Sequence, residues 1–211
     1  MGIAHLVEGY RRFRTTRFAE ARELYQRLGS RGQSPKTLII ACCDSRVDPA
    51  TITDAGPGEL FVVRNVANLV PRFAPDGHHH GTSAALEFAV RRLEVEDIVV
   101  MGHAQCGGAR TLWDQKNDVA PDTDFIGAWV SIAYEARASV QERYAHASLE
   151  EQLIQLEHEL VRLSLRNLMS FDWIRSRLER RALALHGWYF GIASGVLHVM
   201  DAETGEFRPF N

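Results

Sequence analysis

Two short polar segments, far apart in the chain, each follow directly on a run of strand-forming apolar residues. The first (residues 42–46, Cys-Cys-Asp-Ser-Arg) follows the run 37–41, and the second (residues 102–108, Gly-His-Ala-Gln-Cys-Gly-Gly) follows the run 98–101. Parallel strands of an α/β sheet present ligands at their carboxyl ends, so we expect both segments at one edge of a sheet. Thiolates and imidazole suit Zn²⁺. The sequence therefore predicts one buried metal site made by Cys42, His103 and Cys106.

The size and composition are those of an ordinary globular protein. The chain has 211 residues, of which 45% are hydrophobic and 24% charged, with a net charge of -3. These values predict a single domain over residues 1–211 and give no indication of nucleic-acid binding. No secretory signal and no apolar run long enough to span a membrane is recognisable. Three cysteines, two of them adjacent, indicate reduced thiols, so we expect a cytoplasmic protein.

The apolar pattern predicts an α/β fold with a mostly parallel central β-sheet flanked by helices. An amphipathic helix beginning near Ile3 is expected to continue to Leu28 and to stop at Gly29, which makes residues 1–30 an N-terminal helical arm. A helix capped by Thr82 or Ser83 is expected to run through Leu93. Strands are predicted at 37–42, 60–63 and 97–101, mostly helical structure at 125–178, and two adjacent strands or a hairpin edge at 183–186 and 196–200.

Three protein ligands leave the fourth tetrahedral position of a zinc ion open, which is the mark of a catalytic site. A water or hydroxide would take that position, since zinc lowers the pKa of bound water to about 7 in the best cases. Two thiolates donate more charge than imidazoles, so help from neighbouring groups is expected. Asp44 and Arg46 are placed to give it. A two-point pair with Arg46 would hold Asp44 ionised and oriented to accept a hydrogen bond from zinc-bound hydroxide.

At these residues the sequence resembles the β-class carbonic anhydrases, whose signatures Cys-x-Asp-Ser-Arg and Gly-His-x-x-Cys-Gly-Gly are both complete here. The resemblance covers residues 33–108 and resumes at 185–188. It implies zinc-dependent reversible hydration of carbon dioxide to bicarbonate and a proton. It further implies one Zn²⁺ per subunit on Cys42, His103 and Cys106, an orienting Asp44–Arg46 dyad, and a homodimer or tetramer whose N-terminal helices extend over the neighbouring subunit.

Within the family, the chain is most similar to the plant-type branch. That likeness implies a substrate pocket containing Gln33, Phe61, Val66 and Gly107, while Phe88 replaces a tyrosine that many relatives carry. Another branch has a regulatory bicarbonate pocket and closes its site by placing the aspartate on zinc. Ile39 and Phe190 stand where that branch has Trp and Tyr. We therefore expect an open site in which Asp44 pairs with Arg46 and is a metal ligand only in a closed state.

Two alternative functions stay open on the sequence. The same site could hydrolyse carbonyl sulfide or carbon disulfide, or the chain could be a non-catalytic zinc scaffold or sensor.

A loop carries three consecutive histidines, which could form a proton shuttle or belong to a solvated loop: His78, His79 and His80. Arg64 and Asn65 are expected to anchor a loop, and Cys43 is expected to be structural.

Overall fold

The computed structural model describes residues 2–115, 123 and 125–210. Its centre is a six-stranded sheet with the spatial order β2-β1-β3-β4-β5-β6. The first four strands pair in parallel, and the last two are added in antiparallel orientation. The predicted mostly parallel α/β sheet is therefore confirmed. The strands are β1 (Thr37–Cys42), β2 (Leu60–Asn65), β3 (Asp97–His103), β4 (Ala184–Phe190), β5 (Leu197–Met200) and β6 (Phe207–Pro209).

Ten α-helices lie in the described part of the chain, with short 3₁₀ turns at Val66–Asn68 and Ser131–Ala133. The longest begins at Leu149, where the Ser148 side chain accepts a hydrogen bond from the Glu151 amide and caps the helix. The helices are α1 (Ile3–Thr15), α2 (Arg17–Glu20), α3 (Arg22–Arg31), α4 (Pro49–Ile52), α5 (Gly81–Arg91), α6 (Gly107–Asp114), α7 (Ile126–Val130), α8 (Tyr134–Arg143), α9 (Leu149–Leu168) and α10 (Asp172–Glu179).

Several predicted boundaries were wrong. The N-terminal helix is broken at Thr16 and at Ala21, and its last segment ends at Arg31, with Gly32 rather than Gly29 as the residue that stops it. Gly32 has a φ of 78°, the left-handed conformation that glycine adopts without strain, whereas Gly29 is an ordinary helical residue. Helix α5 begins at Gly81 without a side-chain cap and ends at Arg91. Strand β6 was not predicted, because its three residues carry no alternating pattern of their own.

The core lies on both faces of the sheet. One face packs against α5, α9 and α10. The other face is formed by Ile39, Ala41, Val99 and Met101, which pack on Ile52 of α4 and on neighbouring strand residues. A third cluster fills the space between the carboxyl edge of the sheet and helices α6 to α9. This cluster includes Cys42 and Cys106, so the metal ligands predicted from the sequence lie within packed structure.

The strand register brings the two polar segments together. Ala41 of β1 is paired with Met101 of β3, so Cys42 and His103 come at the adjacent ends of neighbouring parallel strands. Gly102 allows this edge to be covered closely: a Cβ built there would lie 2.7 Å from Val161 Cγ2 of α9. Helix α9 can therefore pack directly over the end of β3.

Candidate metal centre

The ligand atoms of Cys42, His103 and Cys106 all lie within 4.8 Å of one another. Cys42 ends β1, His103 ends β3, and Cys106 immediately precedes α6. The side chains of all three residues are buried. No other group of three or more potential metal ligands occurs in the part of the chain that the structure describes.

The turn from His103 to Cys106 requires special backbone conformations. Gln105 has a φ of 57°, in the left-handed region that is unfavourable for most side chains. Gly108, in the first turn of α6, approaches the 3₁₀ turn after β2 so closely that a Cβ would lie 2.8 Å from Ala67 Cβ. The second glycine of the Gly-Gly pair is therefore needed for close packing around the site.

The three donors fit a zinc ion. The Cys42 and Cys106 sulfurs are 3.9 Å apart, and two sulfurs bound to one tetrahedral zinc at about 2.3 Å are separated by about 3.8 Å. His103 Nδ1 lies 2.9 Å from the Ala104 carbonyl oxygen, an arrangement that fixes the ring and leaves Nε2 facing the thiols. His103 Nε2 is buried and, apart from the two thiols, has no polar partner in the described residues. A buried ring nitrogen of this kind is explained by a bound metal.

The pKa of each of the three donors depends on contacts with the others and on burial. The hydrogen bond from the Cys106 thiol lowers the pKa of Cys42 to about 4, although burial opposes the thiolate. The same hydrogen bond, together with burial, raises the pKa of Cys106. Burial disfavours protonation of His103, but its contacts with Cys42 and with the Ala104 carbonyl outweigh that effect and raise the pKa of His103. Metal binding must therefore displace protons, since zinc ligands are thiolates and neutral imidazole.

Asp44 and Arg46 form a two-point ion pair beside these ligands. Arg46 Nε donates to Asp44 Oδ1 at 2.9 Å, and Arg46 Nη2 donates to Asp44 Oδ2 at 2.7 Å. The Arg46 backbone amide also donates to Oδ1 at 2.9 Å. The Arg46 side-chain hydrogen bond is the main cause that holds the pKa of Asp44 far below its usual range. Asp44 is therefore an oriented carboxylate throughout the neutral pH range.

Arg64 anchors the loop that carries this pair. Its guanidinium donates to the carbonyl oxygens of Cys42 at 3.0 Å, Asp44 at 2.6 Å and Val47 at 3.1 Å. It also pairs with the Asp48 carboxylate at 3.1 Å. These contacts agree with the loop-anchoring role expected from the sequence, and they fix the backbone on which the first ligand and Asp44 lie.

The predicted substrate-pocket residues divide into two groups. Val66 and Gly107 lie at the metal centre, because Val66 packs against Gly108 and Gly107 directly follows Cys106. Gln33 and Phe61 lie at the opposite end of the sheet. Gln33 is exposed before β1 begins, and Phe61 pairs with Leu38, about 13 Å along the strand from Cys42 at about 3.3 Å per residue. Within one chain these two residues do not reach the site.

A mainly apolar cavity of about 860 Å³ adjoins Val66. Trp129 is among its lining residues and donates from Nε1 to the Val66 carbonyl at 2.8 Å. His79 and His80 line the same cavity, and His80 contacts the Asp76 carboxylate at 2.6 Å. Two of the three predicted loop histidines therefore share a cavity with Val66, and no zinc ligand lines that cavity. Cys43 is exposed and lies outside the ligand group.

The sequence reasoning missed Glu157. This residue of α9 is 5% exposed, and its carboxylate accepts hydrogen bonds from the Cys106 amide at 2.9 Å and the Tyr189 hydroxyl at 2.8 Å. A signal was present: Glu157 stands four residues after Leu153 and four before Val161, on the apolar face of the helix. A charged residue at such a position requires buried partners.

Three comparisons with known proteins agree with this geometry. A family profile described as carbonic anhydrase matches residues 37–197. The chain is 34% identical over 202 residues to beta carbonic anhydrase 3 of Arabidopsis thaliana, covering 95% of this chain and 78% of that protein.

None of the described helices is long and apolar enough to cross a membrane.

Solved structures give the same result. The β-carbonic anhydrase CcaA superposes with a TM-score of 0.92 at 34% identity, covering 99% of this chain and 92% of the other. A tetrameric β-carbonic anhydrase of Sordaria macrospora superposes with a TM-score of 0.83 at 27% identity, covering 95% and 97%. With the complete cysteine and histidine ligand set at the strand ends, these matches show that the chain belongs to the β-class carbonic anhydrases, a family of zinc enzymes.

Proposed function

We propose that this chain hydrates carbon dioxide reversibly to bicarbonate and a proton, with one zinc ion held by Cys42, His103 and Cys106. The observation that carries the proposal is the convergence of these three buried donors beside an ion-paired carboxylate. A zinc ion held there would lower the pKa of water and supply a nucleophile near neutral pH. A purely structural zinc site has no use for the Asp44–Arg46 pair.

In this proposal Asp44 is the catalytic hydrogen-bond acceptor. Its side chain is 18% exposed, so it retains access to the site while its two oxygens are held by Arg46. An anion fixed in this way accepts a hydrogen bond and does not take up the product proton, because its pKa is far below neutrality. The ion pair with Arg46 would keep Asp44 off a bound metal, and release of that pair would allow Asp44 to become a fourth ligand in a closed state.

The substrate pocket is proposed to be completed by a second copy of the chain. Val66 and Gly107 lie beside the metal ligands, whereas Gln33 and Phe61 lie at the far end of the sheet and would have to come from a partner. The solved relative from Sordaria macrospora is tetrameric, which supports a homodimer or tetramer here. Helix α1 contributes an exposed apolar stripe for that assembly, formed by Ile3, Leu6, Val7 and Tyr10.

A stopped-flow hydration assay on zinc-loaded protein tests the proposal. Hydration of carbon dioxide well above the buffer background, dependent on zinc, is expected across neutral pH. Measured specificity constants for carbon dioxide, carbonyl sulfide and carbon disulfide on one preparation identify the preferred substrate. Metal-replete protein without hydration above background contradicts the proposal. The cytoplasmic location inferred from the reduced cysteines stays a prediction.

A further inference from the structure

The peptide group between Gln105 and Cys106 is hydrogen-bonded on both sides, to the side chains of Arg46 and Glu157. Its carbonyl accepts a hydrogen bond from Arg46 Nη2 at 3.0 Å, and its N–H donates to Glu157 Oε1 at 2.9 Å. The carbonyl and N–H of a trans peptide point in opposite directions. Arg46 and Glu157 therefore lie on opposite sides of the turn that joins the ligands His103 and Cys106.

Glu157 is firmly held in this position. Its second oxygen accepts the Tyr189 hydroxyl at 2.8 Å, and the side chain is almost completely buried. Helix α9 can bring it to the turn because Gly102 has no side chain where α9 crosses β3. Both carboxylate oxygens are thus used, one on the loop of the metal centre and one on β4.

The two hydrogen bonds of this peptide strengthen each other. A carboxylate that accepts from the N–H polarises the amide and makes its carbonyl a better acceptor, an effect that is largest in a buried setting. For Arg46, the Gln105 carbonyl is a partner outside Asp44 that fixes the plane of the guanidinium. The turn also contains the left-handed residue Gln105, a conformation that persists only where its surroundings hold it.

We propose that Glu157 is a positioning residue for the Asp44–Arg46 pair, acting through the Gln105–Cys106 peptide. Replacing its carboxylate by a side-chain amide leaves a weaker acceptor for the Cys106 N–H. The hydrogen bond that the Gln105 carbonyl accepts from Arg46 is weakened in turn, and the plane in which Arg46 holds Asp44 is loosened. The catalytic meaning of this inference rests on the proposed function, but the orientation of Arg46 is measurable without any turnover.

Hydrogen exchange of the Arg46 Nε–H and the Cys106 amide, followed by NMR on zinc-loaded full-length protein, tests the inference. In Glu157→Gln we expect both protons to exchange at least about 10-fold faster, the equivalent of one lost charge-assisted hydrogen bond. The matched control is Glu159→Gln. Glu159 is also a buried carboxylate of α9, but it pairs with Arg162 at 3.0 Å and with other arginines rather than with the turn. This control should leave Arg46 exchange unchanged.

Unchanged Arg46 exchange in Glu157→Gln overturns the inference, as does an equal acceleration in Glu159→Gln. If Glu157→Gln fails to fold, Tyr189→Phe replaces it, because it removes the hydrogen bond that orients Glu157 and so lets the carboxylate turn away from the Cys106 amide. We then expect a smaller acceleration of about 3-fold, less than the loss of a whole charge-assisted bond, and no acceleration overturns the inference.

Hydration rates of single and double variants provide a second test of the positioning role. Glu157→Gln should lower kcat about 10-fold in the wild-type background and have little further effect in an Arg46→Ala background, because both changes remove the same arrangement. Additive losses contradict action through Arg46. Faster Arg46 exchange in Glu157→Gln supports the positioning role even if the protein hydrates no carbon dioxide, an outcome that would overturn the proposed function alone.

Discussion

Arg46 binds both carboxylate oxygens of Asp44, a residue only two positions away in the chain. This short-range pair lies directly after β1, whose last residue, Cys42, provides one sulfur of the ligand group. Forming this pair costs little chain entropy, because the two residues are only two positions apart. The Arg46 backbone amide also closes the turn between them by donating to Asp44 Oδ1.

Replacing Asp44 by asparagine should separate metal binding from turnover. The side-chain amide introduced by Asp44→Asn has an NH2 group in place of one oxygen, so it cannot accept from Arg46 at both atoms. The oriented anionic acceptor is lost, while the three metal ligands stay. We expect about one zinc per chain, as in the wild type, and a loss of hydration rate of at least about 10²-fold, the usual range for a positioned proton-transfer group. Zinc analysis and stopped-flow assays on the same sample measure both quantities, and full activity in Asp44→Asn would contradict our role for Asp44.

The adjacent cysteines provide a matched pair of substitutions. Cys42→Ser should abolish stable zinc binding and hydration, because a neutral hydroxyl replaces a buried thiolate ligand. Cys43→Ser changes the same atoms one position along the chain, but Cys43 is exposed and lies outside the ligand group. It should retain zinc and activity. Metal content after dialysis against a weak chelator decides, and loss of zinc from Cys43→Ser would show that the ligand assignment is wrong.

His158 should make the fold sensitive to mild acid. Burial, with smaller effects from Arg162 and His198, lowers its pKa to about 4 from the ordinary 6.5. Between pH 6.5 and pH 4 the unfolded chain therefore binds the extra proton, so the free energy of unfolding falls as the pH falls through this window and levels off below about 4. The full effect is on the order of 3 kcal/mol at about 1.4 kcal/mol per pKa unit.

Urea unfolding at about pH 7 and about pH 4.5, on either side of most of this window, measures the loss. His158→Gln should show a smaller decrease between the two pH values than the wild type, whatever its stability at neutral pH, because the other titrating groups are common to both proteins. NMR titration of the ring gives the pKa directly. A His158 that titrates near the ordinary 6.5 in the folded protein would rule out the predicted effect.

Gly102→Ala should disturb both folding and metal binding. The new methyl group would lie 2.7 Å from Val161 Cγ2, so α9 must shift away from the end of β3. Overpacking of this kind costs about 1–3 kcal/mol, and we expect weaker zinc binding because His103 is the next residue. The control, Gly29→Ala, lies within α3 with open space around it and should stabilise the protein by up to about 1 kcal/mol. Chemical denaturation and chelator competition measure the two effects, and equal stability of the two variants would contradict the packing argument.

The apolar stripe of α1 should be needed for assembly. Leu6→Lys places a charge on the exposed face that also carries Ile3, Val7 and Tyr10, and no residue of α1 is buried within its own chain. The fold should therefore survive, while light scattering after size-exclusion chromatography shows a smaller oligomer. Arg12→Lys in the same helix should leave the oligomer unchanged. An unaltered oligomer in Leu6→Lys would remove α1 from the proposed interface.

Local chemistry in the sequence was sufficient to predict the centre of the protein. Thr37–Cys42 is a nearly continuous apolar run, which is typical of a buried parallel strand, so β1 was predicted with the bounds that the structure has. The three ligands were recognisable because zinc needs particular donor atoms at strand ends. The Asp44–Arg46 contact spans two residues, so it could be inferred from the sequence as well.

Only the tertiary structure showed which distant residues support the metal centre and which predicted pocket residues lie away from it. Glu157 reaches the Cys106 amide across 51 positions of sequence, and its contact depends on α9 crossing β3 at Gly102. Gln33 and Phe61 belong to the opposite end of the sheet, because strand direction places the start of β1 and β2 far from their carboxyl ends. Short motifs determine which atoms bind a metal, since that chemistry is local. The support for those atoms comes from packing between distant elements, which no short motif records.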